Sequence, residues 1–201
     1  ADAIELQPDE LLEHTHEFAF VYASERAHQL KVDFEDRELA PGAGASVPAK
    51  TGHSHGASGG HSLFWEVRLA PPGTGPPPNT PNARLVFESP PVEGVPGAPL
   101  ATFVHVLVPP GGETSVHTHP GPEFIYQVAG EIEYQNGLIG SIPMVPGDTE
   151  GIPPEVPVQK RNPFDRDAEF LSWFLVSPLE PFASPARFLP SFGRGENLAS
   201  A

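Results

Sequence analysis

The stretch Gly111-Gly-Glu-Thr-Ser-Val-His117-Thr-His119-Pro-Gly-Pro-Glu123-Phe-Ile-Tyr-Gln-Val-Ala-Gly130 decides how this chain is read. His117 and His119 stand one residue apart, and the carboxylate of Glu123 follows four positions later. Imidazole and carboxylate together suit Fe, Mn, Ni, Cu or Zn, and a set of two histidines and one carboxylate leaves coordination positions open for substrate or dioxygen. In an extended chain, residues i and i+2 point to the same face, so both histidines can reach one ion from one strand. Pro120-Gly121-Pro122 must bend the chain, because proline cannot join a sheet ladder and glycine permits unusual dihedrals. Glu123 then opens the next strand.

Strand signals continue on both sides of this stretch. Residues 101–108 are β-branched and apolar, and Pro109-Pro110-Gly111 stops them. Residues 123–128 and 131–134 follow, the latter ended by Asn136-Gly137, and then 140–145, 156–161 and 169–176. Short strands punctuated by turn residues point to a sandwich or barrel. The first half is less legible. Residues 17–23, 28–34, 62–69 and 84–88 read as strands, residues 8–13 as a short helical turn, and 40–60 and 71–81 as loops.

Composition bounds the answer. At 201 residues the chain holds one substantial domain or at most two small ones. The 27 prolines and 20 glycines fit an all-β protein with ordered turns. With no cysteine there are no disulfides, thiolate ligands or cysteine nucleophile. The net charge of −15, from 26 acidic and 11 basic residues, argues against nucleic acid and anionic membrane as partners, since both require a basic footprint. No apolar run approaches the ~20 residues needed to cross a bilayer. A soluble chain is therefore expected, cytoplasmic, or exported to a periplasm if Ala1-Asp2-Ala3 follows a removed signal peptide.

The stretch from Gly111 to Gly130 resembles the first motif of the cupin family: Gly, five residues, His-x-His, three or four residues, Glu, six residues, Gly. Gly111, His117, His119, Glu123 and Gly130 satisfy every position. In the second motif Gly147, Pro153 and Asn162 fall at the right spacings, but Glu155 stands in a glycine's place and Val158 where the last histidine ligand belongs. Three repairs stay open: His117, His119 and Glu123 alone, a substitute from Gln127 or His105, or a pocket without metal. The resemblance implies an all-β double-stranded β-helix, the cupin jelly-roll barrel, over 99–180. An N-terminal extension, 1–98, would add strands and long loops to it, with a degenerate second cupin as the alternative reading of this half. A tail, 181–201, would pack outside through Phe182, Phe188 and Phe192, with its last residues loose. The resemblance also implies a divalent transition metal, Fe(II) ahead of Mn, Ni, Cu or Zn, held by His117, His119 and Glu123, in a pocket lined by Gln127, Val158 and His105. A homodimer and a small-molecule substrate complete the expectation: a metal-dependent oxidoreductase of dioxygenase type, with a non-enzymatic binding or sensing module as the rival.

Other histidines are read more plainly. His53, His55 and His61 lie in a Gly/Ser-rich tract; such tracts can bind transition metals, but solvated histidines on a flexible loop are the expectation. His14 and His16 have metal-like spacing without a carboxylate at the cupin distance, so surface or packing roles are expected.

Overall fold

A computed structural model describes residues 1–75, 80 and 82–189 of the chain. It contains strands and turns and, among the described residues, no helix. The chain divides into two compact units, Ala1–Pro91 and Val92–Ala201.

The first unit carries β1 (Asp2–Leu6), β2 (Leu11–His14), β3 (Ala19–Glu25), β4 (His28–Val32), β5 (Glu35–Leu39), β6 (Gly44–Val47), β7 (His53–Ala57), β8 (Ser62–Arg68) and β9 (Ala83–Leu85). They form a five-stranded sheet, β6-β3-β8-β1-β9, and a four-stranded sheet, β2-β7-β4-β5. Ile4, Val21 and Phe64 from one sheet and Leu12, Leu30 and Leu39 from the other share one buried cluster. Each sheet thus buries one face against the other, which is how a strand with period-2 apolar patterning becomes stable.

The second unit repeats the plan with β10 (Leu100–Val108), β11 (His117–Thr118), β12 (Glu123–Ala129), β13 (Ile132–Asn136), β14 (Gly140–Met144), β15 (Thr149–Ile152), β16 (Val158–Arg161), β17 (Ala168–Val176) and β18 (Ser184–Pro185). The sheets are β10-β17-β12-β15 and β14-β13-β16-β11-β18. Val108, Ile125, Tyr134, Met144, Val158 and Phe170 belong to its core. The all-β jelly-roll architecture is as expected.

Motif residues that bear no ligand have structural work. Gly130 has φ 64°, and a Cβ there would lie 2.3 Å from the Asp167 carbonyl oxygen, so only glycine fits. Asn162 is buried; its amide donates to the Val108 and Arg166 carbonyls, at 2.8 and 2.7 Å, and its Oδ1 accepts from the Phe164 N–H, latching the turn before β17. Glu155, in the place of a motif glycine, keeps the left-handed backbone that glycine would suit, at φ 61°.

The first half differs from the expected extension. Strands β1–β9 pair with one another in two sheets of their own. Residues 11–13 of the expected helical turn belong to strand β2, and the expected loop over 40–60 holds strands β6 and β7. Tertiary pairing overrides the weak local signal of these Gly- and Ser-containing segments. Phe192 and residues 193–201 lie outside the described residues.

Candidate metal centre and ligand pocket

In the first unit, five side chains converge. The Nε2 atoms of His14, His16, His53 and His55 lie 2.8, 3.2, 3.7 and 3.1 Å from one oxygen of Glu66. Ligand atoms of His14, His53, His55 and Glu66 all fall within 4.8 Å of one another, the group among the described residues suited to hold a metal ion. Sheet register builds it: His14 pairs with His53 across β2 and β7, and Leu30 of β4 lies beside His55. Glu66 comes from β8, in the opposing sheet. His53, His55 and Glu66 are buried.

Hydrogen bonds at the far ring nitrogens reveal what this cluster needs. His53 Nδ1 lies 2.9 Å from the Thr51 carbonyl and His16 Nδ1 2.5 Å from the Glu17 carbonyl. A carbonyl only accepts, so both Nδ1 atoms carry hydrogen, and in the neutral rings Nε2 is a lone pair. With both rings neutral, two lone pairs would face a buried carboxylate oxygen. That arrangement is repulsive unless protons or a cation lie between them. The buried His53 Nε2, His55 Nε2 and Glu66 Oε2 also lack hydrogen-bond partners, the signature of a missing counterpart in a polar interior. The donors fit a divalent first-row ion.

Further out, His55 Nδ1 meets His28 Nε2 at 2.9 Å, and His28 Nδ1 meets the Ser62 hydroxyl at 2.9 Å. His28 stacks on Phe64 with ring centroids 4.1 Å apart. Such second partners fix the tautomer and orientation of a ligand histidine. Burial pushes His28 down to about 3 and His55 to about 4. At Glu66 burial pushes upward, but the four imidazole rings gathered around the carboxylate outweigh it and hold the carboxyl below its ordinary range. At His16 burial pulls downward, yet the Glu66 carboxylate wins and raises it. A cavity of about 480 Å³ opens beside the cluster, with His14 and His53 in its wall together with Glu13, Lys31 and Asp33.

In the second unit, His117, His119 and Glu123 do come together around a cavity of about 260 Å³. The His117 and His119 rings lie 4.8 Å apart, and His119 Nε2 is 3.8 Å from Glu123 Oε2. A residue without a sequence signal joins them. Lys160 Nζ donates to both oxygens of Glu123, at 2.8 and 2.9 Å, and Ser172 Oγ donates to Oε1 at 2.8 Å. Burial lowers the proton affinity of His119.

The three residues expected to line this pocket do not border it. Val158 sits opposite His117 across β11 and β16, but its side chain packs in the apolar core. His105 alternates with Val104 and Val106, which do line the cavity; the period-2 rule turns it to the other face, where it meets Glu169 at 3.0 Å. Gln127 shares the parity of Glu123 but lies further along β12, at a bulge, where its amide donates to the Ala129 and Gly130 carbonyls. Phe182, expected on the outside, enters the cavity wall instead. Its carbonyl accepts from His119 Nδ1 at 2.7 Å, and its ring meets Phe174 at 4.8 Å.

Residues 104–174 match the family described as the cupin domain. This segment is a cupin. No curated protein matches the chain in sequence. Among solved structures, a tryptophan-to-tyrosine variant of oxalate decarboxylase from Bacillus subtilis is similar at 15% identity and TM-score 0.61, covering 87% of this chain and 68% of that one. Another, from work on the EPR parameters of the Mn(II) centres of the same Bacillus subtilis enzyme, aligns at 16% identity and TM-score 0.59 over 87% and 68%. At these identities the likeness shows the fold. Its 87% span exceeds what Val92–Ala201 can supply, so the first unit shares in the cupin-like architecture.

The two units can therefore be compared strand by strand. His14 pairs with His53 as His117 pairs with Val158, so the histidine missing from the cupin segment has its counterpart in the first unit. At the start of β3 Ala19 pairs with Arg68, and Val21 with Glu66; at the start of β12 Glu123 pairs with Phe174, and Ile125 with Ser172. Glu66 thus holds the place of Ser172. The carboxylate has moved one strand over, which is why a search for Glu shortly after His-x-His passes by it. One signal was available: His14 to His53 spans 39 positions, close to the 41 from His117 to Val158.

Proposed function

We propose that the chain is a divalent-metal enzyme of dioxygenase type acting on a small organic molecule, with its centre in the first unit. The observation that carries this reading is the convergence of His14, His53, His55 and Glu66, with the buried His53 Nε2, His55 Nε2 and Glu66 Oε2 left without hydrogen-bond partners. His14, His53, His55 and Glu66 would hold the ion, with His16 beside them. Fe(II) heads the candidates and Mn, Ni, Cu and Zn share its donor preferences. Such an ion supplies Lewis-acid polarisation of a substrate oxygen or dioxygen.

The chain's own residues supply the rest. Thr51 and Glu17 carbonyls keep two rings in the ligating tautomer, and Ser62 and His28 orient His55. The cavity beside His14 and His53 admits a small molecule, and Lys31 in its wall offers a positive charge to a carboxylate or enolate. Glu66 is fully buried, which keeps bulk water from its carboxylate.

Elemental analysis of protein purified without added metal, followed by oxygen-electrode measurements, tests the proposal. About one first-row ion per chain is expected, and His53→Val, which installs the residue found at the matching place of the second unit, should cut retention at least about tenfold after chelator dialysis. Metal-dependent oxygen uptake with a panel of catechols, enols and small carboxylates, oxalate included, supports the dioxygenase reading. Turnover of any of these without oxygen consumption would replace it with a lyase, and a chain that retains no metal would end it.

A further inference from the structure

The cupin segment keeps two histidines and a glutamate but spends the glutamate on a lysine. Lys160 is only 3% exposed, and both Glu123 oxygens accept from its ammonium. A cation already sits where the carboxylate would draw one. A divalent ion bound by Glu123 would face that ammonium at close range inside a poorly screened interior, and like charges so placed repel strongly.

The remaining polar atoms define what the cavity can take. His117 Nδ1 donates to the Ser115 carbonyl and His119 Nδ1 to the Phe182 carbonyl, both at 2.7 Å. By the same logic as in the first unit, each neutral ring turns an Nε2 lone pair inward. An ammonium has three N–H groups, and Glu123 takes two, so one remains for a ligand oxygen. Around these lie Val104, Val106, Phe170, Phe174 and Phe182. The site offers two acceptors and one donor in an aromatic-walled cavity. Anions meet two lone pairs and gain little. A hydroxyl can donate to histidine and accept from lysine at once, and a flat ring suits the phenylalanine wall.

We propose that this cavity is a metal-free binding site, with the Lys160 ammonium in the cation's place, for a small uncharged ring bearing adjacent hydroxyl groups. The inference stands apart from the metal centre of the first unit, because its test is run with that centre disabled.

Catechol serves as the probe. Titration calorimetry would use the full chain carrying His53→Val, dialysed against chelator so that metal in the first unit cannot bind the diol. Binding at one equivalent is expected, falling roughly tenfold or more on adding either His119→Leu or His117→Gln, with phenol weaker and benzoate weaker still. Retention of the fold is checked by circular dichroism, and His117→Gln, at a half-buried position, backs up His119→Leu. In a parallel arm, Lys160→Met in the wild-type chain should raise metal content by one equivalent, since it frees Glu123 while keeping the side chain's bulk. Catechol binding indifferent to both histidine variants would overturn the ligand assignment. Metal held by the dialysed His53→Val chain and lost on His119→Leu would overturn the cation's replacement.

Discussion

At the scale of single residues, Glu155 shows that backbone geometry outlasts the residue type that best suits it. A non-glycine residue in the left-handed region costs about 1–2 kcal/mol, while glycine loses about 0.5–1 kcal/mol more entropy on folding. Glu155→Gly should therefore stabilise the second unit by about 0.5–1 kcal/mol, read as a rise of about 2–4 °C in its melting temperature. The carboxyl makes only a 3.4 Å contact with the Thr118 hydroxyl, so little opposes the gain. His28 makes the opposite kind of contribution, acting on another residue. His28→Phe keeps the stack on Phe64 but removes the partner of His55 Nδ1. Metal affinity should fall about 10–100-fold, measured by competition with a chromophoric chelator, while the far-ultraviolet spectrum stays unchanged.

At the scale of elements, what could be read in advance followed the strength of local patterning. Residues 101–108 and 169–176 are long β-branched and aromatic runs, and both are nine-residue strands in the structure. The first motif likewise brought His117, His119 and Glu123 to one cavity. Strand β7 was illegible because Thr-Gly-His-Ser-His-Gly-Ala has the composition of a loop and becomes a strand only through pairing on both sides, with β2 and β4. The carboxylate for that centre arrives from β8, and a sheet-to-sheet encounter leaves no spacing rule in the sequence. Lys160 was missed for a similar reason. It reads as one basic residue in a polar run, and only its inward parity, shared with Val158, carries it to Glu123.

At the scale of the whole molecule, the histidine-rich interior of the first unit makes its stability depend on pH. His28 and His55 are held neutral by burial, down to about 3 and about 4. Above their ordinary value of about 6.5, neither the folded nor the unfolded state is protonated, and they contribute nothing. Below it the unfolded chain takes up protons that the folded one refuses, so stability falls by up to about 1.4 kcal/mol per pH unit for each group. His16 is raised and acts in the other direction, its stabilisation complete below the unfolded value and lost as pH rises through the folded one. Two lowered groups against one raised group leave a net loss toward acid. Thermal melts of chelator-treated protein should show the transition of the first unit falling between pH 6.5 and 4.5, and a flat profile there would contradict the burial of these rings.

Phe182 has a practical corollary. Because its carbonyl sets the His119 tautomer and β18 pairs with β11, the segment after Val176 is a working part of the second pocket. Preparations trimmed there by a protease would keep their metal, yet respond poorly to diols, and batches would differ for no reason visible in a metal assay. Intact mass, checked beside ligand response, would separate a clipped sample from an inactive protein.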